Sequence, residues 1–205
     1  MLHDPALFKA NIDQLAARAA PFARVIERIG YPAPRVRPQG YETLLRTIVG
    51  QQVSVAAAAS VWRRLEEVVG PACPPDALLA QDEDALRACG LSRQKQGYAR
   101  SLAELVLAGE LDLAALPADD EEAIAQLVRI KGIGRWSAEI YLLFAEGRPD
   151  VWPAGDLAVQ IEIGRLFGLP ERPSERAIRA LAEGWQPHRG AAAILAWHSY
   201  NNPPL

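Results

Sequence analysis

Leu127-Val128-Arg129-Ile130-Lys131-Gly132-Ile133-Gly134-Arg135-Trp136-Ser137-Ala138 is the stretch whose reading decides the fold. Two glycines one residue apart allow a sharp backbone turn free of Cβ clash. Before it, Asp119-Asp120-Glu121-Glu122 has the form of a capping box and opens a helix running to Arg129. After it, Gly134 to Phe144 reads as a second helix, and Leu127, Ile130, Ile133 and Ala138 fall at packing positions. The stretch is therefore a tight hairpin between two helices. Amides near Gly132, Gly134 and Arg135 lie at a helix start, where N–H groups and the helix dipole favour an anion, and Lys131 and Arg135 flank them. Two readings stand: a plain turn, and a grip on a nucleic-acid phosphate that reads no sequence. Asp156 lies downstream, after Gly155 and before Leu157-Ala158-Val159-Gln160, where an ordinary helix N-cap and a catalytic acid are both consistent with the pattern.

Outward from the hairpin the pattern stays helical. Asp4 to Ile29 reads as one or two helices broken near Pro21, followed by a Pro-rich connector, Tyr31 to Gln39. Tyr41 to Val49 is apolar at helical spacing, and Ser54 caps a helix ending at Gly70. Asp82 to Cys89 forms a short helix. Ser92 to Ala108 forms another, with Tyr98, Leu102, Leu105 and Val106 as its expected core face. Val151 to Gly155 has no helical period and reads as an extended loop, Asp156 opens a helix to Phe167, Ser174 caps the next, and Pro187 to Tyr200 is the last. About ten helices and no convincing strand predict an all-α fold.

Composition narrows the class. At 205 residues, half of them hydrophobic, the chain can build a sizeable core. The net charge of −3 weighs mildly against a nucleic-acid partner, although a local basic face matters more than the total. Cys73 and Cys89 lack metal-ligand spacing and are expected to be ordinary thiols. The N-terminus does not read as a signal peptide, and no apolar run approaches the ~20 residues of a membrane span. A cytoplasmic protein is expected.

Taken together, Ile130-Lys131-Gly132-Ile133-Gly134 and the later Asp156 resemble the helix-hairpin-helix superfamily of base-excision DNA glycosylases, from about Tyr41 to Tyr200. Gly134-Arg135-Trp136-Ser137-Ala138, Leu45-Arg46-Thr47-Ile48-Val49-Gly50-Gln51-Gln52-Val53-Ser54 and Ile194-Leu195-Ala196-Trp197 are similar to the 3-methyladenine DNA glycosylase II (AlkA-like) family. The resemblance implies that Asp156 is catalytic and that Trp136 and Trp197 line the base pocket. It places Lys131, Gly132, Ile133, Gly134, Arg135, Gln51 and Gln52 against DNA, with Gln52 as the wedge that fills the gap left by a flipped nucleotide. Bifunctional members carry a Lys two residues after the second hairpin glycine, and here that position is Trp136, which implies hydrolysis without strand cleavage. The implied partner is damaged double-stranded DNA, bound by a monomer at the nucleoid and away from any membrane. No cofactor and no metal are required, while a monovalent cation at the hairpin carbonyls is common in the superfamily. A non-enzymatic helix-hairpin-helix DNA-binding module is the competing class.

Departures from the AlkA-like prototype are also visible. Gly155 stands in place of its acidic residue, Ile140 and Leu157 in place of pocket aromatics, and with only about 40 residues before Tyr41 no counterpart of its N-terminal β domain is expected. Trp62 and Trp185 lack a motif match and are expected to be structural; Trp152 is assigned neither role. Arg93, Lys95 and Arg100 form a second basic cluster, on either a solvated face or a phosphate-binding one. The expected organisation is two lobes, 1–38 with 150–205, and 39–149 ending in the helix-hairpin-helix at 119–145, with the active site in the cleft between them.

Overall fold

A computed structural model describes residues 1–203. The protein is all-α, as its sequence predicts. Among the described residues there are twelve α-helices, one short 3-10 helix and no strand. In chain order they are α1 (Pro5–Arg18), α2 (Ala20–Ile29), α3 (Tyr41–Gly50), α4 (Val55–Val69), α5 (Pro75–Leu79), α6 (Glu83–Ala88), α7 (Arg93–Leu107), α8 (Asp120–Leu127), α9 (Arg135–Phe144), α10 (Leu157–Leu166), α11 (Glu175–Leu181), the 3-10 helix Ala182–Trp185, and α12 (Arg189–Asn201). No helix among the described residues is long and apolar enough to cross a membrane.

Local chemistry sets most of the helix starts. Side chains of Asp4, Ser54, Asp82, Ser92, Asp119, Asp156 and Ser174 each accept a hydrogen bond from an amide in the first turn of the helix they precede. Such a cap satisfies a donor that has no partner inside the helix, worth about 1 kcal/mol. Gly30 and Gly70 terminate α2 and α4 with positive φ, a backbone shape that favours glycine.

The chain divides into two compact units. One is Arg37–Ala138. In it α3 packs on α4 and α7, and α5 and α6 pack on α7. The buried face of α7 is Gln96, Ala99, Leu102 and Ala103, whereas Tyr98, Leu105 and Val106 are only half-buried. The periodicity reading chose the large apolar residues, but small ones let α3 and α5 approach α7 closely. Trp62 is buried, with the Arg46 guanidinium 3.9 Å from its ring centroid. Cys73 and Cys89 are separate buried thiols, and burial pushes the Cys73 thiol up to about 12.

The other unit is Met1–Val36 together with the chain from Glu139 onward, so the division falls inside α9. Here α12 packs on α1, α2 and α10. Ala191, Ala192, Ala193 and Ala196 of α12 are fully buried, and a Cβ on Gly190 would meet the Pro149 carbonyl oxygen at 2.7 Å. A helix apolar around most of its circumference belongs in a core. Trp185 meets Phe22, Phe167 and Trp152 at ring-centroid separations of 5.0, 5.3 and 5.5 Å. Trp185 is thus structural, as expected, and Trp152, only 3% exposed, packs beside it in the same core. The N-terminus is tied down by hydrogen bonds from Leu2 N to Gly147 O and between His3 Nε2 and Phe144 O.

Candidate active site and nucleic-acid interface

In the unit Arg37–Ala138 the hairpin is locked from behind. Ile133 N donates to Ile130 O, Lys131 N donates to Ser101 Oγ, and the side chains of Leu127, Ile130 and Ile133 are buried. Its two glycines have different reasons to be glycine. Gly132 has φ +82°, and a Cβ there would lie 2.1 Å from the Tyr98 ring. Gly134 has no positive φ, and a Cβ there would meet nothing within 4 Å. Ala138 N donates to Gly134 O, so Gly134 occupies the cap position of α9 with open space where a side chain would stand. Only Gly132 is required by the turn, a correction to the sequence reading that gave both glycines the same task.

The sequence-predicted DNA-facing residues divide by what their side chains do. Lys131, Gln52, Arg135 and Trp136 are exposed, Trp136 at 46%. Ile133 is buried, so it can meet DNA only through its backbone. Arg135 forms a two-armed ion pair with Glu121. Gln51 donates from Nε2 to Gly132 O at 2.8 Å, tying the end of α3 to the hairpin. Gln52 has φ +55°, left-handed backbone that is uncommon outside glycine.

Gln51, Gln52, Gly132 and Trp136 share one feature, whose lining does not include Lys131, Ile133, Gly134 or Arg135. An open groove of about 1140 Å³ is lined by Gln51, Gln52, Gly132 and Trp136, together with Tyr98, Lys95, Arg37 and Arg46. Its charged lining residues are all cationic, which suits a polyanion. The second basic cluster is not brought together as a patch. Lys95 donates to Val49 O at 2.8 Å, Arg100 is spent on the carbonyls of Leu79 and Gln81, and Arg93 approaches Glu83 at 3.6 Å. Burial lowers the pKa of Lys95, whose ammonium stabilises the C-terminal end of α3.

Asp156 belongs to the other unit and caps α10. Its Oδ1 accepts from Val159 N at 2.9 Å and from Trp197 Nε1 at 3.0 Å. Trp197 is half-buried, with its ring centroid 5.6 Å from that of Phe144. The structure thus brings together the predicted acid and one predicted pocket aromatic, and the contact between them is a hydrogen bond. Two donors converging on one oxygen fix the rotation of the carboxylate. Gly155 is exposed, Leu157 is 55% exposed and Ile140 is buried. Glu139 and Arg179, which support the segment before Asp156, escaped the sequence reading. A lone acid inside the apolar run Ile140 to Phe144 and Ala138 was the available signal.

Comparison with known proteins shows the family. The family described as "HhH-GPD superfamily base excision DNA repair protein" matches residues 45–187. "DNA-3-methyladenine glycosylase 1" of Schizosaccharomyces pombe is 32% identical over 198 residues, covering 93% of this chain and 86% of that protein. The crystal structure of a DNA-3-methyladenine glycosidase from Bacillus halodurans matches with a TM-score of 0.86 at 31% identity, over 93% of this chain and 88% of that one. The Schizosaccharomyces pombe 3-methyladenine DNA glycosylase in complex with abasic DNA matches with a TM-score of 0.79 at 30% identity, over 94% of this chain and 97% of that one. The chain belongs to the HhH-GPD superfamily of base excision DNA repair proteins.

Proposed function

We propose that the protein is a monofunctional DNA glycosylase that hydrolyses the N-glycosidic bond of alkylated bases, 3-methyladenine and 7-methylguanine among them, in duplex DNA. The observation that carries this reading is the Asp156 carboxylate held by Val159 N and Trp197 Nε1. A cap needs only the donor on Val159 N, and the second donor from Trp197 Nε1 supports a role for the carboxylate beyond capping. The names of relatives similar over most of the chain support the same substrate class.

The hairpin grips a backbone phosphate at the start of α9, and the cationic groove accepts further backbone. The damaged nucleotide leaves the stack and Gln52 fills the gap. Alkylated purines are cationic, so the face of Trp136 attracts them. As the glycosidic bond breaks, positive charge grows on the sugar, and the Asp156 carboxylate stabilises it and orients the attacking water. A cationic base departs without a strong general acid, so protein groups and water suffice for the step. The products are free base and an abasic site. Trp136 stands where strand-cleaving members of the superfamily carry Lys, and an indole forms no imine. The protein acts as a single chain in the cytoplasm.

The test is base release from a 7-methylguanine duplex by wild type and Asp156→Asn. Loss of release by about 100-fold or more, with abasic-duplex affinity kept, is expected. Full excision by Asp156→Asn refutes the assignment. Borohydride should trap no covalent adduct with wild type, and a trapped adduct refutes the monofunctional reading.

A further inference from the structure

Asp156 closes a long segment without regular structure that begins after α9. An acid on such a segment is only as well placed as the segment itself. Its early part is fixed by α12, where Arg189 makes a two-armed pair with Asp150 and Gly190 N donates to Pro149 O at 2.7 Å. Its late part is fixed by α10 and by a turn. Gln160 Nε2 donates to Ala154 O at 2.8 Å, and Asp156 N donates to Pro153 O at 3.0 Å. The middle, at Trp152, is held by α11. Arg179 Nη1 donates to Trp152 O at 3.3 Å.

The same guanidinium reaches two acids. Its Nη2 donates to Glu139 Oε1 at 3.0 Å and to Glu175 Oε1 at 2.8 Å. Glu139 is 1% exposed, on α9. A carboxylate buried that deeply is costly unless a cation and donors accompany it, so Glu139 anchors Arg179 in one pose. Glu175 lies on the other side, with Oε2 3.5 Å from where a Cβ on Gly155 would stand. Arg179 thus connects helix α9 to the segment carrying Asp156, and it uses the planar fork that a Lys lacks.

Resting on the catalytic reading of Asp156, we propose that Arg179 is a positioning residue for that acid: through one guanidinium it ties the Trp152 carbonyl to the buried Glu139 carboxylate and sets where Asp156 stands. Arg179 touches neither DNA nor the reacting atoms in this scheme. Its effect passes through the backbone from Trp152 to Asp156.

The test measures single-turnover base release from a 7-methylguanine duplex, thermal midpoint and affinity for an abasic duplex. Arg179→Lys keeps a cation beside Glu139 and gives up the fork. Its release rate is expected to fall about tenfold or more, because small misplacements of reacting groups are expensive, while midpoint and affinity stay near wild type. Arg179→Gln alone takes a cation away from the buried Glu139 and is expected to lose stability as well. The double variant Glu139→Gln/Arg179→Gln removes the buried charge and is expected to recover the midpoint but not the rate. A wild-type rate in Arg179→Lys, or recovery of rate together with midpoint in the double variant, overturns the positioning role. Asp156→Asn is run in parallel: if it releases base normally, the catalytic reading fails and the positioning role with it. If it is inactive while Arg179→Lys is fully active, only the positioning role fails.

Discussion

Two ten-residue helices, α9 and α10, begin in contrasting ways. The cap of α9 is Gly134, with open space where a side chain would be. The cap of α10 is Asp156, whose own carboxylate accepts from the first turn. Both starts concentrate positive potential. At α9 that potential is offered outward, and in the proposed function an incoming phosphate supplies the anion. At α10 the anion is already part of the chain, held by two donors and aimed. In the proposed function one helix start serves binding and the other serves chemistry, and the difference rests on whether the cap residue has a side chain.

The comparison is broken most severely at Asp156. Asp156→Asn keeps a cap able to accept from Val159 N, since Asn caps about as well as Asp, and removes the charge. Its loss of base release, on the order of 100-fold, should therefore come without a fall in thermal midpoint. The hairpin glycines give the next contrast. Gly132→Ala must adopt φ +82° against the Tyr98 ring and should cost about 2 kcal/mol or more of stability. Gly134→Ala should leave the midpoint near wild type and weaken duplex binding, because its methyl occupies the space offered to the phosphate. Equal destabilisation by the two changes would contradict the division of tasks between them. The smallest effect is expected at Trp197. Trp197→Phe keeps an aromatic ring near Phe144 but withdraws the donor from Asp156 Oδ1. The expected slowing is roughly tenfold, the low end of the about 1.5–3 kcal/mol that a hydrogen bond to a charged group is worth. Little change would mean that the remaining contacts of Asp156 suffice to orient the carboxylate.

What could be read from the sequence follows the range of each signal. Caps at Ser54, Asp82, Ser92, Asp119, Asp156 and Ser174 are short-range devices, and all of them act as the residue pattern predicts. Helix α5 was missed because five residues are too few for periodicity to show. Of the predicted core face of α7, Leu102 is buried while Tyr98, Leu105 and Val106 are half-buried, and Gln96, Ala99 and Ala103 were missed because periodicity weights large apolar residues over small and polar ones. At the candidate site the family resemblance supplied Asp156 and Trp197 separately. Their hydrogen bond spans 41 positions, and the Glu139–Arg179 pair spans 40. Nothing local in either residue names its partner, because the fold alone brings them together.

The left-handed backbone at Gln52 has a consequence for how this position can vary. The loop already holds an uncommon conformation with a side chain attached, and the chain just before it is braced by Lys95 on the Val49 carbonyl and Gln51 on the Gly132 carbonyl. The shape of the loop therefore resides in its neighbours, and position 52 behaves as a socket. Unbranched or short polar side chains can be exchanged there without rebuilding the loop, whereas Val, Ile and Thr are disfavoured by the backbone itself. If Gln52 is the wedge of the proposed function, natural drift and laboratory selection alike can retune it by changing one residue, with the scaffold around it held constant.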